Sequence, residues 1–394
     1  MARAGGLVRG FEMPNEGSRP ETIVVGAGLI GLAVAFELLR NGRTVTLLDR
    51  GRPGHGATRA AAGVLVSVVE AETEDPELDL LARESLERYP DFVAGAERIS
   101  RTSAGYRIEE SLWVAANHDD LEEMERVERT LGEKGVEIER LTPDGLLALE
   151  PQLSGRLLGG LRLERDHQVD PRRLAEVLRL AIEAMGGRVF EGMTVERIEE
   201  REGRIHAVGG TRTDGVPFAW AGSEVVVAAG AASVESIEMP VEDPGLHAVK
   251  GHLVSIRGAK LLDRLVRTPD IYLIPRTDDE LLLATTVEEH GHDEAPSAGA
   301  VMDLLRHAWE VLPAIYDLEL GEVSVGLIST VEDQRPVIGA TAIDGLFLAL
   351  GHSRDGTLMV PATAHHLSRW IVEGKPPAQL EPFSPKRMAR DTVP

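Results

Sequence analysis

The chain contains no cysteine, which excludes disulfides, thiolate metal sites, iron–sulfur clusters and cysteine nucleophiles within it. Lysine is scarce as well, with five in 394 residues, so arginine carries most of the positive charge. Lys and Arg together number 42 against 65 Asp and Glu, which gives a net charge of −23. An acidic surface repels phosphate backbones and anionic lipids, so we expect neither a nucleic-acid nor a membrane partner.

Long hydrophobic runs are also missing. No segment approaches the ~20 apolar residues of a membrane span. Residues 1–20 are polar and rich in Gly and Pro, without the apolar core of a secretory signal, so we expect a flexible leader on a cytoplasmic protein. With 43% hydrophobic residues, the chain is long and apolar enough for two or three structural units at ~150 residues per domain.

The clearest local pattern is a glycine turn between a predicted strand from Thr22 and a predicted helix over Leu29–Arg40. Gly26 permits the tight turn, Gly28 lets a pyrophosphate approach the backbone, and Gly31 lets the helix pack closely on the strand. The helix N-terminus then offers N–H groups to the phosphates.

A second strand follows this helix and ends at Asp49, 18 residues after Gly31. An acid near this spacing meets ribose hydroxyls, which favours NAD or FAD over NADP. The alternative, a glycine turn without a ligand, is less consistent with strand, glycines, helix, strand and acid in this order. Because the later strands of the sheet return only after long insertions, the organisation favours a flavin enzyme over an NAD dehydrogenase.

The rest of the chain alternates between helical and strand patterns. Helices are predicted over 76–99, 119–134, 172–185 and 300–312, with Asp170 as an N-cap of the third. We expect an α/β fold with a discontinuous Rossmann-like FAD domain (21–105, 166–235 and 328–385). The remaining segments (106–165 and 240–327) would form a substrate domain on a mixed, largely antiparallel sheet.

Several blocks in this order resemble the FAD-dependent amino-acid oxidase family, which includes glycine oxidase, D-amino-acid oxidase and sarcosine oxidase. They are IVVGAGLIGLAVAFEL, GATRAAAGVL, VDPRRLAEVL, VVVAAGAAS, AVKGHLVSI, IYLIPR, VLPAI, DQRPVIG and GHSRDGTLMVPAT. The likeness runs from Ile23 to about Ile371 and is greatest to the glycine-oxidase type of thiamine biosynthesis. It implies FAD as the cofactor. The absence of cysteine removes the thioether attachment, so we expect the FAD to be non-covalent, with a histidyl link as the alternative.

The resemblance also implies which residues contact FAD. They are the turn and ribose residues Gly26, Gly28, Leu29, Ile30, Gly31, Asp49 and Arg50; the small-residue segment Ala57, Thr58, Arg59, Ala62, Gly63 and Val64; the adenine-side Val195; Ala229 and Gly230; and the loop Gly351, His352, Ser353, Arg354, Asp355, Gly356, Thr357 and Leu358. The last loop would place backbone N–H groups near the anionic edge of reduced flavin.

At the substrate end, the resemblance assigns carboxylate contacts to Tyr272 and Arg354. One departure stands out: where the family has Gly-Leu-Arg-Pro, with an arginine that grips the carboxylate, this chain has Ile328 in Gly-Leu-Ile-Ser. Other cations would have to compensate, and the sequence does not choose among them. The candidates are Arg59, Arg276, Arg335, Lys250 and His252.

The implied activity is oxidation of a small amino acid or amine by hydride transfer to flavin N5, with O2 reduced to H2O2. A dehydrogenase with another acceptor and a flavoprotein subunit that needs a partner remain alternatives, and a homo-oligomer stays open. No catalytic side chain is assigned, because the cofactor carries the chemistry. We expect no metal site: the pairs His290/His292 and His365/His366 lack a supporting ligand cluster and are interpreted as ordinary surface histidines.

Overall fold

In a computed structural model of the chain, residues 21–65, 75–231, 236–288 and 293–388 are described, with the side chains of 285–288 left aside. The predicted leader 1–20 lies outside these ranges. The α-helices within them are α1 (Leu29–Arg40), α2 (Pro76–Ser100), α3 (His118–Glu133), α4 (Pro143–Leu149), α5 (Pro171–Ala184), α6 (Ala298–Val311) and α7 (Val360–Glu373).

The strands alternate with these helices along the chain. They are β1 (Thr22–Val25), β2 (Val45–Leu48), β3 (Val64–Leu65), β4 (Arg107–Ala115), β5 (Ile138–Leu141), β6 (Gly159–Gln168), β7 (Arg188–Phe190), β8 (Met193–Arg201), β9 (Arg204–Arg212), β10 (Pro217–Ala221), β11 (Glu224–Val227), β12 (His247–Arg257), β13 (Leu265–Arg267), β14 (Tyr272–Thr277), β15 (Glu280–Glu288), β16 (Glu319–Thr330), β17 (Val337–Ala340) and β18 (Leu346–Leu350).

The first sheet has six strands in the order β17-β18-β11-β1-β2-β7, parallel except for β17. Its central strands are apolar on both faces. Val24 packs with the helices on one face, whereas Ile23 and Val25 pack with the second, three-stranded antiparallel sheet β10-β9-β8 on the other. Burial on both faces explains why these strands are continuous apolar runs in the sequence.

The third sheet is the large one, with the order β16-β12-β15-β14-β13-β4-β6-β3 and β5 beside β6. All its pairs are antiparallel except β13 with β4, which confirms the predicted mixed, largely antiparallel sheet. One face packs against α6 through Leu304 and Ala308. The other face carries Leu253, Ala284 and Tyr272 and turns toward the small-residue segment after β2.

Local signals set the element ends well, with small shifts. Helix α1 has the predicted bounds, and the Asp170 side chain accepts hydrogen bonds from Arg172 N and Arg173 N as the predicted N-cap of α5. The block GATRAAAG forms a short 3-10 helix at Ala57–Ala60. Strands β6 and β16 continue through the expected segment boundaries at 165 and 327, because their ladder hydrogen bonds continue there.

No helix in the described ranges has the length and apolar character needed to cross a bilayer.

Candidate active site

A cavity of about 700 Å³ opens where the parallel strands of the six-stranded sheet end. One side of the cavity is lined by the residues that follow β1, β2, β11 and β18. The other side is lined by the face of the large sheet that carries Tyr272 and Ala284. Loops at the carboxyl ends of parallel strands are where open α/β sheets bind nucleotides. The long insertions therefore fold over the nucleotide turn and close the cavity from above.

The three glycines of the turn have different structural roles. Gly26 has φ +103°, and a Cβ on it would lie 2.5 Å from Ala228 O. A Cβ on Gly31 would lie 1.9 Å from Gly26 O, so this glycine serves helix–strand packing and does not itself line the cavity. A Cβ on Gly28 would meet only Thr58 Oγ1, at 3.7 Å, so the space beside Gly28 is open for a ligand.

Asp49 lines the cavity and stabilises this turn through hydrogen bonds. Its Oδ2 accepts a hydrogen bond of 2.6 Å from Ala27 N, and its Oδ1 accepts one of 2.7 Å from Gly51 N. Both donors hold the carboxylate as an acceptor at the end of β2. Each oxygen keeps lone-pair capacity for a ribose hydroxyl, which is consistent with the predicted role.

The small-residue segment after β2 lies along the cavity between the two sheets. Thr58 Oγ1 accepts from Leu29 N at 3.2 Å, which ties the segment to the start of α1. From the other side, Arg276 donates to Ala62 O at 2.6 Å and to Val169 O at 3.0 Å. Burial lowers the pKa of the Arg276 guanidinium. Arg276 is thus occupied with holding backbone and is not a carboxylate anchor.

The loop after β18 is held from three directions. Gly351 N donates to Ser329 Oγ at 3.2 Å, and the buried Tyr89 hydroxyl donates to Thr357 O at 2.5 Å. The His352 ring turns into the protein, with Nε2 3.1 Å from Thr363 Oγ1 on α7. Burial lowers the pKa of His352 to about 3, so its ring is neutral at physiological pH.

Most of the residues expected to contact FAD line this one cavity. They are Gly26, Gly28, Leu29, Ile30, Asp49, Arg50, Ala57, Thr58, Ala62, Gly63, Val64, Val195, Ala229, Gly230, Gly351, His352, Ser353, Arg354, Asp355, Gly356, Thr357 and Leu358. Arg59 does not line it: its half-exposed side chain pairs with Glu322 at 2.5 Å, because the 3-10 helix points it outward. The Arg59 side chain therefore lies away from the cavity in which the other expected cofactor contacts are found.

At the substrate end, Tyr272, Ile328 and Arg354 line the same cavity. Tyr272 begins β14 and is paired in register with Ala284. Ile328 lies on β16 opposite Val249 of β12. The cavity wall is therefore apolar at the position where the family resemblance expects an arginine.

Two further candidate cations are paired away from the cavity. Arg335 Nη2 donates to Asp75 Oδ1 at 2.9 Å, at the N-terminus of α2. Lys250 is 1% exposed, and its Nζ lies 3.2 Å from Asp293 Oδ2. Neither cation lines the cavity.

His252 lines the cavity, yet its Nε2 accepts from Ser297 N, at 3.1 Å, at the start of α6. Each of the five side chains that the sequence offered as a substitute cation is therefore bonded to a group of the protein.

The histidine pairs do not form a metal centre within the described ranges, where no group of three or more His, Cys, Asp or Glu could hold an ion. His366 Nε2 lies 2.9 Å from the Glu84 carboxylate, in a contact between α7 and α2, so this histidine is buried and not a surface residue as expected. His290 and His292 lie outside the described residues.

Sequence reasoning missed two residues of this region. Tyr89 carries no local signal, because a tyrosine on an amphipathic helix is ordinary until the fold places it under Thr357. Arg267 precedes Tyr272 by five positions, with Thr-Pro-Asp-Ile between them. That turn signal predicts a hairpin that would set Arg267 opposite Tyr272, and the register has this pair.

The residues present fit FAD by their shape and donor chemistry. Open space at Gly28, an acid at Asp49 and a helix N-terminus meet the pyrophosphate and ribose requirements of a dinucleotide. The cavity then continues past the small-residue segment to Tyr272, which leaves room for a redox ring and a small substrate.

Three comparisons with known proteins agree with this geometry. The chain is 30% identical over 385 residues to the bifunctional protein ThiO/ThiG of Synechocystis, covering 95% of this chain and 55% of that protein, so it spans about half that relative's length. It is 28% identical to the glycine oxidase of Geobacillus kaustophilus, covering 93% of this chain and 96% of the relative. The solved structure of a glycine oxidase from that organism superposes with a TM-score of 0.82 at 29% identity, covering 93% and 98% of the two chains.

The family "FAD dependent oxidoreductase" matches residues 21–370, which include the glycine turn, both walls of the cavity and the loop after β18. FAD is therefore the cofactor for which this cavity is built, and the chain belongs to the FAD-dependent oxidoreductase family.

Proposed function

We propose that the protein oxidises a small amino acid or amine of the glycine, sarcosine or D-amino-acid type. The observation that carries this proposal is that the nucleotide turn and the pair Tyr272 and Arg354 line one continuous cavity. The similarity to glycine oxidases supports the same substrate class. Bound FAD would supply the redox chemistry, by taking a hydride from the substrate carbon at N5 and passing the electrons to O2 to give H2O2.

The chain's own residues bind and orient the substrate. A hydroxyl donor at Tyr272 and a guanidinium at Arg354 suit a carboxylate, since charge-assisted hydrogen bonds are stronger than neutral ones. The apolar Ile328 offers the substrate contact area instead of charge. With the carboxylate held at one end, the C–H bond of the amine-bearing carbon is directed toward the cofactor, which is the main catalytic contribution of the protein.

The test is a peroxide-coupled screen of glycine, sarcosine and D-amino acids with the FAD-loaded protein. We expect peroxide with at least one of them. The Arg354→Ala variant should raise KM for amino acids tenfold or more, each tenfold corresponding to ~1.4 kcal/mol. Decarboxylated amines should be affected much less, because they have no carboxylate to lose. High glycine-oxidase activity that survives Arg354→Ala unchanged would contradict the assignment.

The same screen separates the alternatives for the electron acceptor. Turnover with a dye acceptor but without peroxide would identify a dehydrogenase. Reduction of FAD by no amine, together with copurification of a second chain, would identify a subunit that needs a partner.

We further propose that FAD is held non-covalently, as the absence of cysteine supports. Acid precipitation should leave yellow FAD in the supernatant, and colour retained in the pellet would contradict this.

A further inference from the structure

Arg267 is a buried cation without a hydrogen-bonded partner among the described residues. It ends β13, its exposed fraction is 1%, and in the described part of the chain none of its three guanidinium nitrogens has a hydrogen-bond partner. Buried charges in proteins are normally paired, because leaving such a group unsatisfied is strongly destabilising. An arginine in this state therefore indicates a partner that the described part of the chain does not supply.

The position of Arg267 relates it to the substrate end of the cavity. Arg267 is paired in register with Tyr272, and Tyr272 with Ala284. Directly opposite residues project from the same face of a sheet, so all three side chains share the face that lines the cavity. The Arg267 guanidinium carbon lies 5.9 Å from the centre of the Tyr272 ring, within cation–π distance. Arg267 thus lies directly behind a residue of the cavity wall.

The chemistry around this wall calls for a cation. If the substrate carries a carboxylate, Arg354 is one cation beside it, and Ile328 cannot supply the second one that the family resemblance expects. Four of the five alternative cations are paired with protein groups outside the cavity or with backbone carbonyls, and the fifth, His252, is bonded to Ser297. The planar fork of an arginine matches a carboxylate with two parallel hydrogen bonds. A turn of the Tyr272 ring would expose that fork to the cavity.

We propose that Arg267 binds the substrate's carboxylate together with Tyr272 and Arg354 and thereby replaces the arginine that the family resemblance expects at Ile328. The assignment rests on the proposed function and makes Arg267 a specificity-determining residue. It restricts the preferred substrates to amines that carry a carboxylate. In the absence of such an anion, Arg267 lowers the stability of the protein instead of raising it.

Glycolate is the probe that tests this, since it has the carboxylate of glycine and no oxidisable amine. Its Kd would be measured by calorimetry on the FAD-loaded wild type, Arg267→Met, Arg267→Lys and the control Arg257→Met, which removes an exposed arginine from the end of β12 in the same sheet. We expect the Kd to rise tenfold or more in Arg267→Met, to recover partly in Arg267→Lys and to stay unchanged in the control.

Thermal unfolding distinguishes a binding role from a structural one. Without ligand, Arg267→Met should melt at or above the wild-type Tm, because it removes an unpaired buried charge; with saturating glycolate, the wild type should be the more stable. If Arg267→Met does not fold, Arg267→Gln, which keeps polar length without charge, takes its place. A lower Tm without ligand together with an unchanged Kd would overturn the proposal.

Steady-state kinetics test the role of Arg267 separately from the proposed function. In Arg267→Met, KM should rise for glycine and stay constant for glycine ethyl ester, with kcat similar for both. Amino-acid oxidation with an unchanged KM in this variant would refute the role of Arg267 and leave the function intact. Glycolate binding that depends on Arg267 in a protein that oxidises no amine would refute the function and leave Arg267 as a carboxylate site. A wild type that binds no glycolate overturns the proposal.

Discussion

The Arg276 guanidinium donates a 2.6 Å hydrogen bond to the carbonyl of Ala62, 214 residues earlier in the chain. A second bond, to Val169 O, shows that this arginine joins β14 to the small-residue segment and to the entry of α5. The two walls of the cavity are held in register through this side chain. An arginine that sequence analysis offered as a substrate anchor is in fact a structural clamp.

Removing this clamp should loosen the cofactor wall. We expect Arg276→Met to lower the free energy of unfolding by about 1–3 kcal/mol, because two carbonyl acceptors lose a charged donor. Urea unfolding would measure it. The control Arg306→Met removes a half-exposed arginine of α6 that pairs with Asp303 and Glu310, and should cost under ~0.5 kcal/mol. Equal losses in both variants would contradict the clamp.

The glycine turn separates a binding effect from a folding effect. Gly28→Val should fold and yet be colourless, because its Cβ would meet only Thr58 Oγ1, at 3.7 Å, and its side chain would enter the space for the pyrophosphate. Gly31→Val should instead fail to fold, since its Cβ would overlap Gly26 O. Circular dichroism measures folding and FAD absorbance measures cofactor binding in the two variants. A yellow Gly28→Val protein would exclude the phosphate role.

The conformation of the loop after β18 depends on the Tyr89 hydroxyl, which donates a hydrogen bond to Thr357 O. Tyr89→Phe removes it and leaves a buried carbonyl unsatisfied, which costs ~1–2 kcal/mol. We expect FAD to bind about fivefold to tenfold more weakly, measured by titration of the apoprotein. Tyr316→Phe, at a tyrosine that is 82% exposed, is the control and should bind FAD as the wild type does. Unchanged FAD affinity in Tyr89→Phe would show that the loop does not depend on this bond.

His352 should make the fold acid-sensitive. Its pKa is about 3 in the folded chain and near 6.5 when unfolded, so below pH 6.5 the unfolded state binds the extra proton. Its stability contribution is complete above pH 6.5 and falls by ~1.4 kcal/mol per pH unit below it, down to about pH 3. Urea unfolding at pH 7.5 and 5.5 should show a smaller acid loss in His352→Gln.

The exposed His206 is the matched control for this titration, and His206→Gln should keep the wild-type pH dependence. An acid loss in His352→Gln equal to that of the wild type would show that other groups cause it.

Ile328 offers a direct test of the apolar wall. Ile328→Arg should lower KM for glycine, by supplying the guanidinium that the family resemblance expects there, whereas the apolar Ile328→Met should leave KM nearly unchanged. Steady-state peroxide assays measure both. A weaker affinity for glycine in Ile328→Arg would show that the carboxylate does not come within reach of a side chain at position 328.

The sequence by itself determined the elements that depend on neighbours in the chain. The glycine turn at Gly26, the bounds of α1 and the cap at Asp170 follow from steric and capping rules that act within a few residues. The order of the family blocks, retained along the chain, was enough to indicate the family and its cofactor. The chain also showed that Ile328 replaces an expected arginine.

Only the tertiary structure decided which charged groups are available. The sequence offers three basic residues as equal candidates, Arg276, Arg335 and Lys250. In the structure, each is bonded to a partner far away in the sequence. The same folding buries Arg267 against Tyr272 without a hydrogen-bonded partner in the described chain. The physical reason is that desolvation and pairing of a charge depend on long-range contacts, which no local pattern of residues contains.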